Sequence, residues 1–109
     1  MGGSKRIFTF EEARRLLPAV RERTQKALDA LAALEDGGGE ERGEARRRAG
    51  GGIFEAWVRD VEALGIEVKG PWLVDFDSGA GYYCWRWPEE SLDFYHGYDE
   101  GFSGRVRIQ

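Results

Sequence analysis

The sequence predicts an α+β fold: an N-terminal antiparallel helical hairpin with a long first helix, followed by a small antiparallel β-sheet of about three strands. Three observations predict it. Apolar residues recur in steps of three and four from Phe10 to Leu34, and again from Ile53 to Leu64, which is the period of a helix with one buried face. After Gly65 the period drops to two, in Trp72–Phe76 and Tyr82–Trp87, as pleated strands require. Glycine triplets at 37–39 and 50–52 separate the two helical patterns and permit the chain to reverse.

The first helix has a legible start. Thr9 can cap it, Glu12 stands three residues on to complete a capping box, and Phe8 and Ala13 occupy the staple positions. A coiled-coil-like seam then runs through Phe10, Ala13, Leu17, Val20, Thr24, Ala27, Leu31 and Leu34. Pro18 removes a backbone hydrogen bond inside the pattern and predicts a kink near Arg14–Pro18. The helix continues, because the seam stays in phase.

The charged decapeptide between the glycine triplets makes residues 36–52 a flexible connection, with room for one or two helical turns at Glu44–Ala49. A second helix is expected over Ile53–Leu64, with Ile53, Trp57, Val61 and Leu64 on one face and Gly65 as its left-handed stop. Beyond it come a short extended piece at Ile66–Lys69 and a turn at Gly70-Pro71. Strands follow at Trp72–Phe76, Tyr82–Trp87 and Leu92–His96, with a further short strand at Val106–Ile108. Residues 8–64 thus form the hairpin and 65–109 a small β subdomain with a C-terminal loop. At 109 residues the whole chain fits one domain, 1–109.

Charge is unevenly spread. Residues 1–50 carry 11 Lys/Arg against 9 Asp/Glu, residues 51–109 carry 5 against 11, and the net charge is −4. That balance disfavours a general nucleic-acid binder. Cys84 is the single cysteine, which rules out an intrachain disulfide and a zinc site built from several cysteines of one chain. No apolar run spans a bilayer and no secretory pattern is present, so a cytoplasmic protein with no membrane partner is expected.

Chemistry concentrates between Tyr95 and Arg105, which hold the single histidine, two adjacent acids, an arginine, three aromatics and three glycines. His96, with Asp99 and Glu100 three and four residues on, has the spacing of a helical ligand pair. Gly97 and Gly101 argue against a helix there, so a metal would need help from Asp75 or a second subunit. Arg86 and Arg105 can grip a carboxylate or phosphate, or pair internally with Asp75, Asp99 or Glu100. Cys84 lies mid-strand, where a cysteine packs as a small apolar residue. His96 is the single imidazole able to activate it, if register places both on one face. The ligand-binding candidates are therefore Asp75, Arg86, His96, Asp99, Glu100 and Arg105, with His96, Asp99 and Glu100 as the metal set if there is one. No cofactor is expected and no catalytic residue is assigned.

The chain resembles a bacterial and archaeal family known as domain of unknown function 2203. The matching blocks are Phe8-Thr9 with Glu11-Glu12-Ala13 and Leu16-Leu17-Pro18, then Leu64-Gly65-Ile66-Glu67-Val68-Lys69 and Leu73-Val74-Asp75-Phe76. Cys84-Trp85-Arg86, Tyr95-His96 and Asp99-Glu100-Gly101-Phe102-Ser103-Gly104-Arg105 complete them. The resemblance implies an intracellular protein of similar size. It supplies no activity or catalytic residue to carry over.

Three functions compete at this level. The leading one is a non-enzymatic interaction or assembly module. The seam of the first helix outruns a partner of Ile53–Leu64, so self-association through the helices, most simply as a twofold dimer, is expected. The second is a small-ligand- or metal-binding protein, hydrolytic in one version, with its site around His96, Asp99 and Arg105. The third is an RNA-binding hairpin using Arg46-Arg47-Arg48.

Overall fold

Thr9 and Glu12 close the expected capping box. The Glu12 N–H donates to Thr9 Oγ1 and the Thr9 N–H to Glu12 Oε1, both at 3.0 Å, satisfying two donors that a helix start leaves open. The computed structural model describes residues 6–36 and 43–108. Helix α1 spans Phe10–Asp36 and passes through Pro18 without ending. Helix α2 (Gly43–Glu62) follows, then strands β1 (Glu67–Gly70), β2 (Leu73–Asp77), β3 (Tyr82–Arg86), β4 (Phe94–His96) and β5 (Val106–Arg107). A 3₁₀ turn at Phe102–Gly104 precedes β5. No helix among the described residues is long and apolar enough to cross a membrane.

The predicted seam is the buried stripe of α1: Ala13, Leu17, Val20, Thr24 and Ala27 are buried, and Leu31 and Leu34 are half-buried. Trp57 and Val61 face it from α2. The one polar seam residue earns its place, because Thr24 Oγ1 accepts the Trp57 indole N–H at 2.9 Å while donating to the Val20 carbonyl at 2.8 Å. A buried indole N–H without such a partner would be costly.

The connection is shorter than the glycines suggested. Gly43–Gly52 are helical and α2 has 20 residues, whereas the remainder of the expected linker, 37–42, lies outside the described residues. Glycine weakens a helix by only about 1 kcal/mol per residue, and packing overrides that here. A Cβ on Gly50 would stand 3.4 Å from Leu31 Cδ2, and Gly51 and Gly52 face open space. At the other end Gly65 stops the helix with φ +87°, its N–H bonded to the Glu62 carbonyl at 2.9 Å. A Cβ at that point would collide with Arg6.

The sheet has five strands rather than about three, joined as an antiparallel meander in chain order. The two extra strands are its margins. The extended piece after Gly65 pairs Glu67 with Asp75, and the two-residue β5 is continued by a bond from the Ile108 N–H to the Asp93 carbonyl at 2.7 Å. Both are too short for their period to stand out. The strand expected to begin at Leu92 begins at Phe94. Leu92, freed from the alternation, joins the apolar core.

Period-two alternation gives the sheet two unlike faces. Val74, Phe76 and Trp85 lie in the core with Phe8, Ala13, Leu17, Val20, Trp57 and Val61. Phe8 stacks edge-on to Phe76 at 5.3 Å, and Phe10 to Tyr83 at 5.4 Å. Trp72 adopts φ +60°, rare for a bulky side chain. Edge-on contacts with Trp57 at 4.8 Å and Phe54 at 5.4 Å hold it there. The opposite face carries Asp75, Asp77, Tyr82, Cys84, Arg86 and His96.

Candidate functional site

Strand register assembles the polar face. Asp75 stands directly across from Cys84, and Tyr82 from His96, so Asp75, Cys84 and His96 share one face on adjacent strands. All three are buried, and one ligand atom from each lies within 4.8 Å of the others.

His96 is held at both nitrogens. Nε2 lies 3.0 Å from Asp75 Oδ2 and Nδ1 lies 2.9 Å from the Gly97 carbonyl oxygen. Lys69 Nζ approaches the same carboxylate oxygen at 3.8 Å, Glu67 at 3.4 Å and the Tyr82 ring at 4.2 Å. Among the described residues Asp75 Oδ1 is buried without a hydrogen-bond partner. Burial pushes the Asp75 carboxyl above its ordinary pKa, against the opposing pull of the Cys84 thiol, His96 and Lys69. Burial and the adjacent Asp75 push the Cys84 thiol up to about 12, although Arg105 pulls the other way.

The C-terminal segment closes over this face. Arg105 grips Glu89 with both guanidinium nitrogens, at 3.1 and 2.8 Å, the fork geometry that lysine lacks. Its planar head lies over Phe94 at 3.9 Å and Phe102 at 4.1 Å, with Nη1 3.9 Å from Cys84 Sγ. Tyr98 packs edge-on to Tyr82 at 5.1 Å and donates to Asp77 Oδ1 at 2.6 Å.

The structure thus brings three of the six nominated residues, Asp75, His96 and Arg105, around Cys84. The other three stand apart. Arg86 is exposed, with its guanidinium 5.3 Å over Phe102. Glu100 folds back to accept the Gly97 N–H at 2.9 Å. Asp99 is exposed, and its side chain has no hydrogen bond or ion pair among the described residues. The side chains of His96, Asp99 and Glu100 therefore do not gather at one point. Among the described residues the one group of three or more potential ligand side chains is Asp75, Cys84 and His96.

Glu89 and Lys69 were not nominated. Glu89 follows a proline turn and shows no spacing signal, whereas Lys69 alternates with Glu67 on β1 and was legible in principle. A Cys–His–Asp nucleophile of the usual arrangement does not form, because Nδ1 is held on the Gly97 carbonyl and Nε2 faces Asp75 rather than the Cys84 thiol.

Among the described residues, grooves run along α1. One is lined by Glu22, Arg23, Lys26, Ile53, Trp57 and Asp60, a second by Phe10, Arg14, Pro18, Arg21 and the 90–93 segment. The third lies at the far end of the hairpin, between Leu31, Leu34, Glu35, Arg46, Arg47 and Gly50. None of the three reaches Asp75, Cys84 or His96.

No curated protein and no solved structure matches the chain. The expected motif blocks all fall within the residues, 6–108, matched by the family described as Uncharacterized conserved protein (DUF2203), and the chain belongs to that family.

Proposed function

We propose that the protein is a non-enzymatic interaction and assembly module that self-associates through its helical hairpin as a twofold dimer. The observation that carries this reading is the internal pairing of the reactive side chains. His96 is turned onto buried Asp75, Arg105 is paired with Glu89, and Glu100, at the surface, is folded back onto the Gly97 amide. Catalytic groups need a cleft in which they meet a substrate, and the grooves described above lie along the helices instead. A buried free thiol suits the reducing cytoplasm in which we place the protein.

The extension of α2 to Gly43 covers much of the surplus seam, so the dimer contact moves to the hairpin's far end. There Leu31 and Leu34 stay half-buried in a groove rimmed by Glu35, Arg46 and Arg47. Opposite charges around an apolar floor suit a self-complementary contact. Light scattering on the full chain at micromolar concentration should give twice the monomer mass, and Leu34→Glu should halve it. A parent protein that is monomeric removes the assembly reading. No observation favours RNA: Arg46, Arg47 and Arg48 are consecutive helical residues about 100° apart around the axis, so they form no stripe.

A further inference from the structure

The contacts around His96 leave a charge problem. The Gly97 carbonyl oxygen can only accept, so Nδ1, 2.9 Å away, carries the hydrogen. In the neutral ring Nε2 then presents its lone pair to Asp75 Oδ2 at 3.0 Å. Two electron pairs at that distance repel unless a positive charge lies between them. A third donor, the soft Cys84 Sγ, stands on the same face, and among the described residues Asp75 Oδ1 has no hydrogen-bond partner although the residue is 2% exposed.

We propose that Asp75, Cys84 and His96 bind one divalent transition-metal ion of the Zn²⁺ class, through a carboxylate oxygen, Sγ and Nε2. The donor set supports that class. One sulfur, one imidazole nitrogen and one oxygen suit a borderline-soft ion rather than Mg²⁺ or Ca²⁺. Holding the second imidazole nitrogen on a backbone carbonyl is the usual way a ligating histidine is oriented. Ligand atoms within 4.8 Å of one another need to draw in modestly to reach bond lengths of about 2.0–2.3 Å.

Two cations border the cluster, Lys69 Nζ at 3.8 Å from Asp75 Oδ2 and Arg105 Nη1 at 3.9 Å from Cys84 Sγ. Each lies closer to another acid, Lys69 to Glu67 at 3.4 Å and Arg105 to Glu89 at 2.8 Å, and neither lies between Nε2 and Oδ2. The ion would join β2, β3 and β4 at one point, with one position left for water. Burial beneath the C-terminal segment makes its role structural.

The test uses the full chain, stripped with a chelator and titrated with Co²⁺ and then Zn²⁺. One equivalent of Co²⁺ should bring a thiolate-to-metal absorption band together with intense visible bands of low coordination number. Cys84 is the single cysteine, so that band can arise from no other residue. Zn²⁺ should raise the melting temperature by several degrees in the parent and not in Cys84→Ser or Asp75→Asn. Retained far-ultraviolet circular dichroism shows that those variants fold. If they do not, the Co²⁺ spectrum of the parent decides alone. Saturating Co²⁺ with no thiolate band, or Zn²⁺ with no thermal shift in the parent, overturns the proposal and leaves a proton as the charge between Nε2 and Oδ2. Either result leaves the dimer measurement untouched.

Discussion

Cys84 shows how much one side chain's surroundings decide. From an ordinary value of 9.0 its thiol is pushed up to about 12, which cuts the thiolate population at neutral pH about a thousand-fold. A thiol-disulfide reagent should therefore modify the folded chain far more slowly than the urea-unfolded one. Equal rates would mean that the closed face is open in solution. Tyr98 makes a complementary case at the surface. Its bond to Asp77, helped by partial burial and the Asp77 charge, raises its pKa from 10.0 to about 12. The folded chain holds that proton more tightly than the unfolded chain does, so the stability it contributes is whole below about pH 10 and lost as pH rises through about 12. A tyrosinate absorbance titration should show late-titrating groups, since burial and Glu67 raise Tyr82 as well, and Tyr98→Phe should remove one of them. At this scale the sequence was partly readable. Glycine spacing correctly removed the helical metal motif, yet nothing near Glu89 marked it as the partner of Arg105, because that pairing depends on where a turn returns the chain.

Helices tell a different story from single residues, since propensity and packing compete along them. Gly50-Gly51-Gly52 reads as a linker on propensity, but α2 runs through it. Gly51→Ala and Gly52→Ala, which would meet nothing within 4 Å, should each stabilise the fold by about 1 kcal/mol in urea denaturation. Gly50→Ala should gain less, because its methyl group presses on Leu31. If the two open positions lose stability instead, the segment is not helical. Across the hairpin, Thr24→Val keeps the shape but strands the Trp57 N–H, and should cost about 1–3 kcal/mol. Capping box, seam and Gly65 stop were all legible because each is a local rule written within a few residues. The margins of the sheet were legible in place, at Ile66–Lys69 and Val106–Ile108, but not as members of one five-stranded sheet, since strands of two and four residues owe their pairing to partners distant in sequence.

Taken whole, the molecule is a helical hairpin on one face of a meander and a C-terminal strap on the other. Arg105 holds the strap in place, so Arg105→Ala should destabilise the protein by about 2–3 kcal/mol, with Arg105→Lys recovering only part of it because the fork is lost. Urea melts of both variants check this, and equal stability of Lys and Arg would show that charge alone suffices. The division into faces was readable from alternation. What closes the polar face was not, because Tyr98, Phe102 and Arg105 lie in an irregular segment that no period describes. The meander's outer margins carry a consequence of their own. A sheet with free backbone amides along its rim can template a second chain and grow into fibrils. One rim here is two residues long and ends in Arg107. The other is broken between Val68 and Gly70 and carries Lys69. Neither offers a run of amides long enough to seed such growth, so strand addition is closed to this sheet as a route of aggregation.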